Sequence, residues 1–350
     1  MIQRNYKEHL IPVGAEIKTA LQQLDKLAAD AILFVVDEEN RLIGSLTDGD
    51  VRRGLLRNLS LTNKVEEFIQ PNPKYVFKNH DDINEIIELR RGNFRIIPVL
   101  NELRVVINVI NFRFFKSFLP IDALIMAGGR GERLKPLTDT TPKPLLKIGD
   151  KPIIEHNIDR LSSFGIYNFW LSIRYLGEQI QNHFKDGSTK NISTKYVLED
   201  KPLGTIGAAG LIDSFEHNYI LITNSDILSN IDYEDFFLNF LQSGADLSVV
   251  TIPYDVSIPY AVMETNNGHV VSLKEKPTYT YYSNGGIYLV KKNLLNLIPK
   301  GEHFNATDFM EKLISMNYKV HSYPLRGYWL DIGKHEDFIK AQNDIKTIRF

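Results

Sequence analysis

Residues 124–146 read LIMAGGRGERLKPLTDTTPKPLL, and they hold the residue types that bind a polyphosphate. An apolar run over 123–127 predicts a buried strand. Gly128, Gly129 and Gly131 then open a loop around Arg130 and Arg133, and Lys143 follows between Pro142 and Pro144. Glycines let backbone approach a phosphate closely, and the N–H groups so exposed, with guanidinium and ammonium groups, hold the anion. Two familiar phosphate loops do not fit. The dinucleotide fingerprint needs a glycine where Leu134 stands, and the next strand ends at Ser172 and Arg174 without a ribose-binding acid. The P-loop string Gly-Lys-Ser/Thr does not occur.

Further along, Asp226 ends the apolar string YILITNSD, so its carboxylate is expected at the carboxyl edge of a sheet, facing the glycine loop. A helix N-cap is the alternative role for it. Asp331 lies in GYWLDIGKHEDF. Neither the histidines nor any Ser/His/Asp grouping shows the spacing of a metal site or a triad.

These residues need elements to position them. Strands are expected at 123–127, 168–173, 194–198, 219–223 and 247–252, with helices at 153–164, 176–184, 206–212 and 233–241. Such alternation predicts an α/β domain with a mostly parallel, Rossmann-like sheet covered on both faces, binding its ligand at the carboxyl ends of the strands. Past Thr251 the pattern turns to β-ribbon and loop, and a final helix starts near His335. Residues 111–120, NFRFFKSFLP, divide the chain into an N-terminal α+β part, 1–118, and a catalytic part, 119–350. The N-terminal part carries a weak repeat. Its first copy is a helix over 17–27, strands over 32–36 and 42–46, and Thr47-Asp48-Gly49-Asp50 opening a second helix. Its second copy is a helix over 83–91 and strands over 95–100 and 104–110.

The long string Ala-Gly-Gly-x-Gly-x-Arg-Leu-x-Pro-Leu-Thr followed by Pro-Lys-Pro-Leu closely resembles the signature of sugar-1-phosphate nucleotidylyltransferases and occurs here complete, and the resemblance implies a GT-A-like fold. The resemblance implies nucleotide contacts at Ala127, Gly128, Gly129, Gly131, Pro202, Gly204 and Thr205. It implies catalytic cations at Arg133, Lys143 and Lys276. It implies magnesium on Asp226 and Asp331, although Asn224-Ser225-Asp226 replaces the glycine of the family's triplet. Magnesium favours one or two carboxylates together with phosphate oxygens and water. The sugar pocket is implied at Glu275, Asn284, Gly286 and Ala261, where Ala stands in place of the family's usual glycine.

Glu199 precedes the base-binding segment 202–205. A carboxylate only accepts hydrogen bonds. Guanine offers two adjacent N–H donors, whereas uracil offers carbonyls on either side of its one N–H, so the residue favours GTP. The alternative is that backbone reads the base, with UTP, CTP or dTTP as donor. The implied acceptor is a sugar 1-phosphate, glucosamine 1-phosphate or mannose 1-phosphate among them. The domain arrangement resembles guanylyltransferases of bacterial legionaminic-type pathways. The N-terminal repeat resembles a tandem pair of CBS modules, with Gly44, Thr47 and Asp50 matching Gly-x-x-Thr-x-x-Asp. That implies an adenosine or guanosine nucleotide at Thr47 and Asp50, or else a plain helix cap. Ile110 and Arg113 stand where the second copy would need Thr and Asp. A nucleotide-sensing protein without turnover is the alternative from another class.

Composition sets limits. The 350 residues include 41 Lys and Arg against 43 Asp and Glu, a net charge of −2 that argues against nucleic-acid or membrane-surface partners. No cysteine is present, which excludes disulfides, thiolate metal sites and a cysteine nucleophile. No apolar run approaches the roughly 20 residues of a membrane span. The expectation is a cytoplasmic homo-oligomer.

Overall fold

The computed structural model describes residues 5–78 and 82–348. Backbone contacts divide it into two compact units, Met1–Pro120 with Ser163–Gly165, and Ile121–Ser162 with Ile166–Phe350.

The first unit is built twice from one plan. Strand β1 (Leu10–Pro12), helix α1 (Ile17–Leu27), β2 (Ile32–Val36), β3 (Leu42–Thr47) and helix α2 (Asp48–Leu56) form the first half. The second half contains β4 (Val76–Phe77), α3 (Ile83–Arg91), β5 (Ile96–Leu100) and β6 (Val106–Asn111). In each, the first strand pairs parallel and the third antiparallel to the second. Helix α1 forms because Ile17, Ala20, Leu24 and Leu27 recur on one face, and all four are buried. The two hairpin turns join, Leu42 N–H donating to Arg104 O (3.0 Å) and Val106 N–H to Asn40 O (3.0 Å). In the segment after β6, Phe115 is buried.

The second unit has a seven-stranded sheet at its centre. Its elements are β7 (Ile121–Ala127), a short hairpin of β8 (Lys147–Ile148) and β9 (Lys151–Pro152), α4 (Ile153–Ser163), β10 (Asn168–Ile173), α5 (Gly177–Phe184), β11 (Ser193–Leu198), β12 (Tyr219–Asn224), β13 (Ile227–Ser229), α6 (Tyr233–Ser243), β14 (Leu247–Ser257), β15 (Val262–Asn266), β16 (His269–Lys274), β17 (Thr278–Lys291), α7 (Ala306–Ser315), β18 (Val320–Pro324), β19 (Trp329–Asp331) and α8 (His335–Asp344). The sheet order is β11-β10-β7-β12-β17-β14-β18, and every pairing is parallel except those of β17. This is the expected mostly parallel α/β fold. The near-continuous burial of β7 follows from its central place. Helix α6 packs with Phe236, Phe237 and Phe240 almost fully buried, each contributing about 2–3 kcal/mol.

Two expectations need correction. The helix expected at 206–212 is a 3-10 turn, Gly207–Leu211, because two glycines in GAAGL weaken a regular helix. The region past Thr251 also contains α7, started by a capping box at Asn305 and Asp308. The short pairing of β13 with β19 had no signal in the sequence, since strands this short lack periodicity.

Candidate active site

Four parallel strands end in register. Ile173 lies opposite both Ala127 and Leu198, and Asn224 opposite Met126. The chain just beyond each end supplies Gly128, Arg174, Glu199 and Asp226, and all four line one cavity of about 410 Å³. Gly129, Gly131, Arg133, Lys143, Pro202, Gly204, Thr205, Asn224 and His303 line it as well. Strand ends of a parallel sheet are where such folds bind ligands.

The glycine loop is shaped by close approach. A Cβ at Gly128 would lie 2.9 Å from Glu199 Oε1, so only glycine leaves that carboxylate in place. Ala127, last residue of β7, positions the loop from within the sheet. Thr138 Oγ1 donates to Gly131 O (2.9 Å), closing the turn that carries Arg133. Leu134, in that same turn, is buried in a cluster with Leu146, Ile148 and Ile332, which anchors the exposed Arg133 beside it.

Glu199 is buried, 8% exposed, at the exit of β11. Ser172 Oγ donates to its Oε1, and Leu203 N–H to its Oε2 (3.1 Å). Each oxygen keeps one acceptor position. The 202–205 segment is fastened from the far end of the chain: Phe304 N–H donates to Leu203 O (2.9 Å), and Ala306 N–H to Thr205 Oγ1 (2.8 Å). Gly204 has φ +79° and lies against Phe304 O, where a Cβ would approach to 2.6 Å.

Asp226 and Asp331 are brought together by β13 and β19, in which Ile227 lies opposite Asp331. Ile332 N–H donates to Asp226 O (3.0 Å). Lys143 Nζ donates to Asp226 Oδ2, while Asp226 Oδ1 is buried without a hydrogen-bond partner. Burial, and then the Asp226 carboxylate, push the Asp331 carboxyl above its ordinary value, against the pull of Lys143 and Arg133. Two facing carboxylates, one with an orphaned oxygen, are a donor set suited to a hard dication. No group of three or more His, Cys, Asp or Glu able to hold a metal occurs among the described residues, so such an ion would draw its other ligands from phosphate and water.

The implied sugar contacts divide. Gly286 backs onto Asn224 at the cavity wall, and Asn284 Oδ1 accepts from Gly286 N–H (2.9 Å) and Tyr288 OH (3.0 Å). Ala261, Glu275 and Lys276 are exposed just outside the ribbon of β15 and β16, the first before β15 and the other two after β16, and none of them lines the cavity. In the first unit, Thr47 Oγ1 donates to Asp50 Oδ2 (2.6 Å), and Asp50 Oδ1 accepts from Arg53 (2.5 Å). The cap itself is closed by Thr47 N–H donating to Asp50 Oδ2 (2.9 Å) and Asp50 N–H to Thr47 Oγ1 (3.3 Å), the capping box of one of the two readings of the sequence.

Arg174 and His303 line the cavity without having been singled out in the sequence. The position of Arg174 was legible, because it follows β10 as Gly128 follows β7. His303 had no signal, since it arrives with the Phe304 contact.

Residues 122–348 match the family model of nucleotidyl transferases, and residues 7–57 match that of CBS domains. A relative from Methanococcus maripaludis, "Bifunctional protein GlmU", is 34% identical over 234 residues, 64% of this chain and 54% of that protein. This chain therefore spans about half the length of that relative. The D-glycero-alpha-D-manno-heptose 1-phosphate guanylyltransferase of Aneurinibacillus thermoaerophilus is 30% identical over 230 residues, 65% of this chain and 99% of that protein. The crystal structure of HddC from Yersinia pseudotuberculosis complexed with GMP-PN shares 26% identity at a TM-score of 0.51, covering 64% of this chain and 99% of that chain. No helix among the described residues is long and apolar enough to cross a membrane.

Proposed function

The chain belongs to the nucleotidyl transferase family, and on that premise we propose that it transfers a guanylyl group from GTP to a sugar 1-phosphate, giving a GDP-sugar and pyrophosphate. An oxygen of the sugar phosphate attacks the α-phosphorus in line. The bond from that phosphorus to the bridging oxygen of the β-phosphate breaks, and pyrophosphate leaves. No covalent enzyme intermediate is required, so rate comes from positioning and charge neutralisation.

The observation that carries the choice of GTP is Glu199. It presents a buried carboxylate to the cavity with one acceptor position free on each oxygen, the complement of guanine N1–H and N2–H. A bound guanine nucleotide analogue in the Yersinia protein and a guanylyltransferase among the relatives support the reading. The backbone N–H groups of Gly128, Gly129 and Gly131 receive the triphosphate. Arg133 holds its β- and γ-phosphates, and Lys143 holds the α-phosphate. Asp226 and Asp331 would hold magnesium, which when bound supplies charge neutralisation of the triphosphate. Asn284 and Gly286 border the sugar, and Lys276 meets the sugar phosphate when the ribbon approaches.

Pyrophosphate release measured with each of the four ribonucleoside triphosphates against a panel of hexose and heptose 1-phosphates tests this. GTP is expected to give the highest kcat/KM. Faster turnover with UTP or CTP would overturn it.

A further inference from the structure

We propose that Arg174 is a second base-reading residue, its guanidinium donating to guanine O6 and N7 while Glu199 takes N1–H and N2–H. The inference rests on the GTP reading above and deepens it.

Arg174 and Glu199 are neighbours by construction. Ile173 pairs with Leu198 across β10 and β11, and Glu199 N–H donates to Ile173 O (3.0 Å), so each residue is the next along its own strand. Ser172 and Arg174 are two apart, which puts them on one face of an extended chain. Ser172 already reaches Glu199 from that face. Both charged groups line the same cavity. They are nevertheless not paired with each other. The Glu199 oxygens accept from Ser172 and Leu203, and Arg174 Nε is buried without a hydrogen-bond partner. A buried guanidinium N–H without an acceptor is costly, and here it borders an empty volume that a ligand acceptor can fill.

The order of strands decides which part of the ligand that is. Asp226 and Lys143 lie at the end of β12, Gly128 follows β7, and Arg174 and Glu199 follow β10 and β11. Neighbouring strands are about 4.8 Å apart, so Arg174 sits roughly 10 Å from the end of β12 that carries the Asp226 carboxylate, on the far side of the glycine loop. That is the side of the base. Guanine carries two donors, N1–H and N2–H, next to two acceptors, O6 and N7. A carboxylate and a guanidinium side by side match that sequence, and arginine's fork suits O6 and N7 bidentately. Adenine would present its amino group to the guanidinium, and a pyrimidine has no N7.

The test compares kcat/KM on the full chain for GTP, 7-deazaguanosine triphosphate, inosine triphosphate and UTP. Wild-type protein should use the 7-deaza substrate about tenfold less well than GTP, the scale of one lost base contact. Arg174→Met should lower GTP use by about tenfold and bring it level with the 7-deaza substrate, while the penalty for inosine, which lacks N2–H, persists through Glu199. Arg174→Lys keeps the charge without the fork, and should likewise fail to restore N7 discrimination. Equal use of GTP and the 7-deaza substrate by wild-type protein would overturn the proposal, whatever the variants do. So would a parallel fall for all four substrates in Arg174→Met, the mark of a phosphate contact. A wild-type preference for UTP over GTP would overturn the guanine reading beneath it, an outcome distinct from these.

Discussion

Lys143 and Asp226, 83 residues apart in sequence, form an ion pair inside the cavity, and it leaves the second oxygen of Asp226 buried without a partner. The cation is thus matched to one oxygen and the other is left for a further positive charge. Asp226→Asn and Asp331→Asn should each lower kcat by roughly a hundredfold or more, as loss of one preorganised charge-stabilising group does. Initial rates across a magnesium titration, with circular dichroism to confirm folding, check this. Near-normal rates at low magnesium would remove that residue from the metal site.

Lys143→Met strands the Asp226 carboxylate. Turnover should fall by about a hundredfold, and Tm should fall as well. Adding Asp226→Asn should restore most of the lost Tm and none of the turnover. A double variant no more stable than Lys143→Met would show that the pair contributes little to folding.

Glu199→Gln swaps one acceptor for a donor against the base edge. GTP use should weaken relative to UTP by about 1–3 kcal/mol, the cost of one unpaired buried group. An unchanged GTP/UTP ratio of kcat/KM would transfer base reading to the backbone.

Gly204→Ala adds a Cβ 2.6 Å from Phe304 O at a residue with φ +79°. Strain of this kind costs about 1–3 kcal/mol. Urea titration should show the loss, and KM for the nucleotide should rise because the segment beside Glu199 is displaced. Wild-type stability and KM would refute the account of this turn.

Asp122, at the start of β7, is buried. Burial alone would raise its pKa, but the His217 side chain donates to it (2.6 Å), with further bonds from Asn168 and the His217 N–H, and the net direction is down. A carboxyl depressed in the folded state stabilises the protein above its unfolded value of about 4, and that contribution is lost as pH falls through the folded value. His217→Ala should therefore move the acid-unfolding midpoint upward. An unmoved midpoint in a fluorescence-monitored acid titration would show that the pair does not govern acid stability.

Most of the sheet was legible because its strands are apolar runs bounded by clear breaks. The glycine-loop wall of the cavity was legible for a related reason, since Gly128, Gly129, Gly131 and Lys143 lie within one continuous string. What escaped depends on distant segments meeting. Helix α7 had its signal, Asn305 and Asp308 before an amphipathic run, but it stood in a region dominated by strand-like residues. The placing of Asp331 beside Asp226 depends on two three-residue strands, too short for any pattern. Ala261, Glu275 and Lys276 keep their motif order but lie exposed at the base of the ribbon, because motif order records neighbours in sequence rather than in space.

Strands β14 and β17 each change character partway along. Leu247–Thr251 and Gly285–Val290 are buried, whereas 253–257 and most of 278–284 are exposed, and the change occurs beside the register shift between Val249 and Thr251. Truncating a large aliphatic residue to Ala in the inner halves costs about 2–5 kcal/mol, and surface substitutions in the outer halves usually cost under about half a kcal/mol. Two tolerances to substitution therefore run along a single strand. The inner half is bound to the sheet it builds, while the outer half short of Asn284 can be rebuilt by design without refolding the core.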